Sequence, residues 1–479
     1  MRRYVYLILF TLVMTLSFGE SELYFDDLQF NQYSEIESAD NESLRVVQAV
    51  KVATLDPIYM KDQYSIRMVN YLYDTLFIYN ANGDVVSNLV EAWDWKDDRL
   101  LELEIKDNIY FHNGDKMLAV DVKKSLDRML SNGVFKDFFN DIQNVKVLSE
   151  TKLEIKLKGR NNLFLSMLTY YMCSITKEVD GKIYGTGPYK IDKITNKEIV
   201  LLKNQNYFKK NNGRNKIEIL SEVSDRKRAL LYFNDAADVV LDITPKQIDE
   251  WKEEGIIDKS VISDGNKELD TIAIIFGKRN KIFERRDVRE SINELIDRDE
   301  LIENIFEEKA TNTFFPGTLF DAKLSLMKNG RDSEKKVKDI FEGKEIEITV
   351  LNDDLSLKIA NNLKRQLEKK GMKIVVSPYQ QEAYLMKMEK QDYEIAIYNI
   401  IFDERYLIYN LGRVIAHDIG DKGMYNATLP FLEILKDERE KVDRDKIYDK
   451  IVYLISKNIP YIPLVHREKV AIERARVSI

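Results

Sequence analysis

A chain of 479 residues, 44% hydrophobic and 32% charged, is long enough for two or three domains that each bury a core. Its net charge of −8, with no concentrated basic stripe, excludes nucleic acid and anionic membrane surfaces as partners. The single cysteine, Cys173, excludes an intrachain disulfide, and its apolar surroundings mark it as a core residue.

The N-terminus reads as a secretory signal. Arg2 and Arg3 precede a mostly apolar run from Tyr4 to Phe18, and Ser17-Phe18-Gly19 supplies small residues for a cleavage site. The run is short for a membrane span, although an uncleaved anchor is the alternative, and no cysteine near Gly19 can carry a lipid. Residues 20–43 form an acidic leader, with eight acids and no base up to Glu42.

Order is expected from Leu44-Arg45-Val46-Val47, followed by a turn at Asp56-Pro57. The spacing of Val69, Leu72, Tyr73 and Leu76 predicts a helix, and Asn82-Gly83-Asp84 a hairpin turn. Residues 101–106 and 152–157 alternate apolar with charged, the period of half-buried strands. Between them, Tyr110 and Phe111 run into a tight turn at His112-Asn113-Gly114-Asp115. A helix follows, burying Val122, Leu126, Met129 and Leu130, with Asp121, Lys123, Lys124, Asp127 and Arg128 on its wet face.

Gly185-Thr186-Gly187-Pro188-Tyr189 is a structural turn. It lacks the Gly-Lys-Ser/Thr ending of a phosphate loop, and a strand follows it where that loop needs a helix. Residues 271–276 are an apolar strand, and Val288, Ile292, Leu295 and Ile296 mark a helix face. Asp297-Arg298-Asp299-Glu300 has capping-box spacing, so a second helix starts there and buries Leu301, Ile302 and Ile305. Residues 345–351 and 373–377 flank a helix that ends at Gly371, which implies parallel pairing. Residues 393–401 are a further apolar strand, and the helix around Ile447, Ile451, Leu454 and Ile455 precedes Ile459-Pro460-Tyr461-Ile462-Pro463-Leu464.

Five of these stretches, in this order, resemble landmarks of the family 5 extracellular solute-binding proteins, the oligopeptide-, dipeptide- and nickel-binding receptors of ABC importers. They are Leu55-Asp56-Pro57; Phe111-His112-Asn113-Gly114 with Ala119-Val120-Asp121-Val122; the 185–189 turn; Arg286, Arg289, Asp297 and Arg298 with Leu301 and Ile302; and the Pro-rich C-terminal strand. Leu89-Val90-Glu91-Ala92-Trp93 is similar to the family's Leu-Ala-Glu-Ser-Trp, and Ser291 stands where the family has alanine. The resemblance implies an α/β, two-lobed periplasmic-binding-protein-like fold with a hinge. The first lobe is expected over 44–268, with 467–479 returning to it, and the second over 269–466.

Composition and spacing offer little for catalysis. His112, His417 and His466 are far apart, and no nucleophile elbow, Walker loop, zinc motif or dinucleotide loop is present. No enzymatic role, no cofactor and no metal site are expected.

The resemblance instead implies ligand contacts. Asp403 falls at the family's ammonium-binding aspartate, although Ile400 replaces the tryptophan of the Gly-Trp-x-x-Asp motif. Val52 is expected to offer backbone groups to an extended ligand. Phe138 and Phe139, with Phe135, fall where relatives place a ligand-facing aromatic, and Arg405 or Arg413 is expected to meet a ligand carboxylate. The expected protein is a periplasmic monomer that captures di- or oligopeptides and delivers them to an ABC permease with its ATPase subunits. A nickel chelate or haem as ligand, with His417 as its hint, and a non-transport sensor or adhesion protein stay open.

Overall fold

The computed structural model describes residues 43–80, 82–133, 136–257, 261–263, 269–306, 333–402, 422–437, 441–468 and 470–474. The expected signal lies outside them, as does the expected leader up to residue 42, while Ser43 opens the first strand.

Two large sheets organise the rest. The first has seven strands in the spatial order Tyr189–Ile194, Glu198–Lys203, Lys216–Ser221, Ser43–Gln48, Val239–Ile243, Val470–Glu473 and Val261–Ser263. The second has five, in the order Lys373–Tyr379, Glu345–Leu351, Ile395–Phe402, Leu269–Phe276 and Tyr461–Glu468. Among the described strands the chain passes between the sheets twice, after Ser263 and after Glu468. A separate antiparallel sheet of four strands (Val90–Asp97, Leu100–Ile105, Lys152–Leu157, Ile142–Val147) enlarges the first lobe. Strands Glu345–Leu351 and Lys373–Tyr379 pair in parallel through the Asp354–Lys369 helix, the connection that the sequence pattern implied.

Hydrophobic burial is divided the same way. One cluster, around Ile274, Ile348, Leu363 and Tyr461, fills the second lobe. A second, around Leu103, Leu126, Phe139 and Ile155, sits under the four-stranded sheet, and a third, around Met60, Leu72 and Leu201, backs the seven-stranded one. Each lobe therefore has its own core, as relative lobe motion requires.

The sequence landmarks in the first lobe touch one another. Backbone N–H of His112 donates to the Gly185 carbonyl at 2.9 Å, and its ring Nε2 meets the Gly187 carbonyl at 3.1 Å. A Cβ on Gly187 would come within 2.4 Å of the Leu72 carbonyl carbon and 2.6 Å of the Tyr71 oxygen, so only glycine fits this backbone approach. Arg128 donates to Asp56 at 2.9 Å, tying the Ala119–Asn132 helix to the Leu-Asp-Pro turn.

Two local expectations change. Asp121 is buried, not wet, because its carboxylate turns back to accept the Leu118 N–H at 2.9 Å and caps its own helix. The helix expected around Val69–Leu76 is two short pieces, Gln63–Ile66 and Val69–Leu72, and Tyr73 turns extended with its hydroxyl on the Leu55 carbonyl.

Burial, with the nearby Lys190 charge, lowers the His112 pKa from 6.5 to about 4, against the hydrogen bond to Gly187. Below pH 6.5 the unfolded chain takes up a proton that the folded imidazole refuses, so stability falls with pH until about 4 and levels off beneath it. The wild type is expected to lose about 2 kcal/mol more than His112→Gln across that window, after allowance for partial exposure. Urea midpoints measured at both ends of the window check this; equal losses in the two proteins would remove His112 as the cause.

Candidate interlobe ligand site

A cavity of about 120 Å3 lies between the lobes. Its first-lobe wall is Val50 and residues 61–64. The second lobe supplies Ile272, the 351–359 turn and helix start, Gln381 with Tyr384 and Leu385, and Ile397 to Asn399. That volume is a little under the roughly 150 Å3 that admits benzene in an engineered core, so it suits one side group of a solute lying in the cleft.

Local chemistry explains why each wall stands where it does. Asp62 caps the Gln63–Ile66 helix, accepting Ser65 N–H at 2.9 Å and Ser65 Oγ–H at 2.7 Å. Ser65 Oγ accepts in turn from the Ala53 and Thr54 N–H groups, at 3.1 and 3.2 Å, which fixes the preceding loop. On the other side, Asp353 caps the Asp354–Lys369 helix in the same way, through Ser356 N–H at 3.0 Å and Oγ–H at 2.7 Å. Strand Glu345–Leu351 delivers this cap to the cleft from its carboxyl end, where α/β sheets present their ligand loops. The Tyr384 hydroxyl donates to the Ile397 carbonyl at 2.6 Å and holds the Gln381–Lys390 helix on the strand beneath.

The lobes also meet directly. Gln381 Nε2 donates to the Lys51 carbonyl at 2.7 Å and Asn399 Nδ2 to Gln63 Oε1 at 3.4 Å. Lys51 pairs with Glu382, and Lys61 lies 3.7 Å from Glu389. Further along the interface, Asp225 N–H donates to Asp354 at 2.9 Å, Lys358 approaches Asp225 at 3.7 Å, and Lys436 meets Asp141 at 3.0 Å. The exposed pairs among these, Lys51–Glu382 and Lys61–Glu389, contribute roughly 0–1 kcal/mol each, so they steady a closed arrangement without locking it.

The electrostatics are those of a desolvated, acidic pocket. Burial raises the Asp62 and Asp353 carboxyls above the ordinary 3.8, against the serine hydrogen bonds that favour the charged forms. Burial also pushes the Tyr64 phenol far above 10, and the Asp242 and Asp353 charges add to it. Among the described residues no group of three or more His, Cys, Asp or Glu side chains could hold a metal ion.

Residues 84–406 match the description "Bacterial extracellular solute-binding proteins, family 5 Middle". The chain belongs to this family. Its fold is similar to that of the DppA periplasmic binding protein of Helicobacter pylori solved with the peptide STSA: TM-score 0.80, 20% identity, 90% of this chain and 94% of that one. It is also similar to NikA of Staphylococcus aureus with Ni(L-His)2: TM-score 0.78, 19% identity, 91% and 95% coverage. Two curated relatives are the nickel-binding protein NikA of S. aureus, 23% identical over 270 residues, and the nickel-binding periplasmic protein of Escherichia coli, 21% identical over 329. The matches cover 55% and 63% of this chain and span only 53% and 60% of those relatives' lengths. Among the described residues no helix is long and apolar enough to cross a membrane.

In this family 5 protein the residues singled out from sequence are placed unevenly. Phe139 is 1% exposed, inside the first-lobe core against Tyr170, so it is a packing residue and not a wall of the cavity. Phe138 shares the Lys136–Phe139 turn, but its side chain, like all of Phe135, lies outside the described residues. Asp403, Arg405, Arg413 and His417 lie outside them too. Val52 is half-buried with its side chain on the first-lobe core, beside the Lys51 carbonyl that Gln381 occupies. Sequence reasoning missed Asp62, Asp353, Gln381 and Tyr64. The Asp-x-x-Ser spacing at Asp62–Ser65 and Asp353–Ser356 is a helix-cap signal, yet nothing in it says that both caps face one cavity.

Proposed function

We propose that this protein is the ligand-capturing receptor of an ABC importer, that it is exported after cleavage near Gly19, and that it binds short peptides in the interlobe cleft. The observation that carries the reading is a cavity with walls from both lobes. A solute there touches two lobes when the cleft is closed and one when it is open, so its binding free energy drives closure about the two chain crossings. The closed form then delivers cargo to a membrane permease with its ATPase subunits. Asp403 takes the peptide ammonium, Val52 its backbone and Arg405 or Arg413 its carboxylate in this reading. The structural relative solved with the peptide STSA supports it.

A nickel chelate is the second reading, favoured by the two curated relatives named as nickel-binding proteins. Native mass spectrometry of the purified mature protein separates the two. A spread of co-purified peptide masses, lost on mild denaturation and weakened in Asp403→Ala, is the expected result. One metal-containing mass moves the assignment to the chelate, and an empty protein that no peptide library stabilises sinks the peptide claim.

A further inference from the structure

The cavity wall combines two chemistries that seldom share one small space. Ile272, Leu355, Ile359 and Leu385 make it aliphatic, while Asp62 and Asp353 place a carboxylate on it from each lobe. The wall's one lysine, Lys61, is turned to Glu389 at 3.7 Å. Gln381, 7% exposed and also on the wall, has its Nε2 fixed on the Lys51 carbonyl. That bond sets the amide's orientation and leaves Oε1 as a buried acceptor with no partner among the described residues. Acceptors and negative charge over an apolar sleeve suit an aliphatic stem ending in a cation, as long basic side chains are built.

We infer that the cavity is a specificity pocket for a protonated amine or guanidinium side group on the captured solute, held between Asp62 of one lobe and Asp353 of the other. The inference rests on the cleft being the ligand site. It adds the chemical class of the group that enters this pocket and a reason for closure. Bringing the lobes together strips water from both carboxylates, which is unfavourable unless a cation arrives with the ligand. A main-chain ammonium, flanked by its own polar carbonyl, matches the aliphatic sleeve less well than a side group on a methylene stem.

The test compares Lys-Ala with norleucyl-alanine, which keeps the ammonium and the stem and lacks the side-chain charge, by calorimetry on the intact mature protein. Cadaverine is the non-peptide amine, and 1,5-pentanediol is its neutral partner. Lys-Ala is expected to bind at least about tenfold more tightly than norleucyl-alanine, as a charge-assisted contact in a closed site implies. Asp62→Asn and Asp353→Asn, in which asparagine still caps the helix, should reduce that ratio to under about threefold. Asp98→Asn, on an exposed loop, should leave it unchanged. Equal binding of the two peptides, or a preference untouched by both wall variants, overturns the pocket while leaving the peptide reading intact. Cadaverine binding in preference to the diol, with no peptide binding, keeps the pocket and overturns the peptide reading. No binding by any of the four probes overturns both.

Discussion

Arg289→Ala is expected to destabilise the second lobe by about 4 kcal/mol, near the top of what one substitution does. The guanidinium is buried and donates to four carbonyls: Ile459 at 2.7 Å, Phe283 at 2.7 Å, Glu284 at 2.8 Å and Asn458 at 2.6 Å. Asn458 is the last residue of the Lys441–Asn458 helix, so the cation also meets the negative end of that helix's dipole. Ile459, next in the chain, has φ +48°, a conformation that β-branched residues avoid, and it persists because its carbonyl is held. Removing the side chain leaves orphaned carbonyls beside a strained residue, just before strand Tyr461–Glu468 enters the sheet. Urea unfolding with hydrogen exchange read separately in the two large sheets measures the loss. Arg289→Lys should recover only part of it, since an ammonium cannot span four acceptors in one plane. A loss below about 1 kcal/mol, or full recovery by lysine, contradicts this account.

The same arginine shows what the sequence could reveal. Its place beside Asp297 and Arg298 in a recurring pattern marked the element, and periodicity marked the apolar face of Val288 and Ile292, both fully buried. Local rules also read the five strands of the second sheet, each an alternation or apolar run written in consecutive residues, but in the first sheet only the strand at 43–48 and the one that follows the 185–189 turn. They read the Gly185–Gly187 turn as structural, and the glycines are there because the Tyr71–Tyr73 backbone passes against them.

The cavity was not legible in this way. Its walls come from segments near 50, 62, 272, 355, 383 and 398, joined only when two lobes fold and meet. Asp62 and Asp353 look like any capping residue, and Gln381 like any exposed amide at a helix start. Phe139 illustrates the opposite error. An aromatic after a surface helix carries no periodic signal for which side it faces, and here it turns into the core. Asp121 fails for a related reason: helical spacing put it on the wet face, but an N-terminal carboxylate bends back to its own backbone.

Asp242→Asn should cost about 3 kcal/mol at neutral pH and loosen the first-lobe wall of the cavity. The Asp242 carboxylate accepts Ala49 N–H at 3.1 Å and Arg67 Nη1–H at 2.9 Å, and its second oxygen pairs with Arg67 Nη2. It thereby ties the end of the first strand to the residue that follows the Gln63–Ile66 helix, on either side of Val50 and the 61–64 turn. Asp242 itself has φ +62°, at a register shift in strand Val239–Ile243. Asparagine tolerates that backbone as well as aspartate does, so the substitution tests the charge and not the conformation. Burial alone would raise the Asp242 carboxyl, but Arg67, the Ala49 N–H and Arg228 outweigh it and hold the pKa well below the ordinary 3.8. A carboxyl depressed in the folded state contributes stability that is complete above the unfolded value and is lost only as pH falls through the folded one. The gap between wild type and Asp242→Asn should therefore hold constant from about pH 7 to about pH 5 and shrink only below about pH 4. Exchange of the amides around Ala49 and Ser65 should accelerate with it, since the same pair holds both. A gap that closes already above pH 5, or protection at Ser65 that survives the substitution, means that Arg67 finds its counter-charge elsewhere and that the wall stands without Asp242.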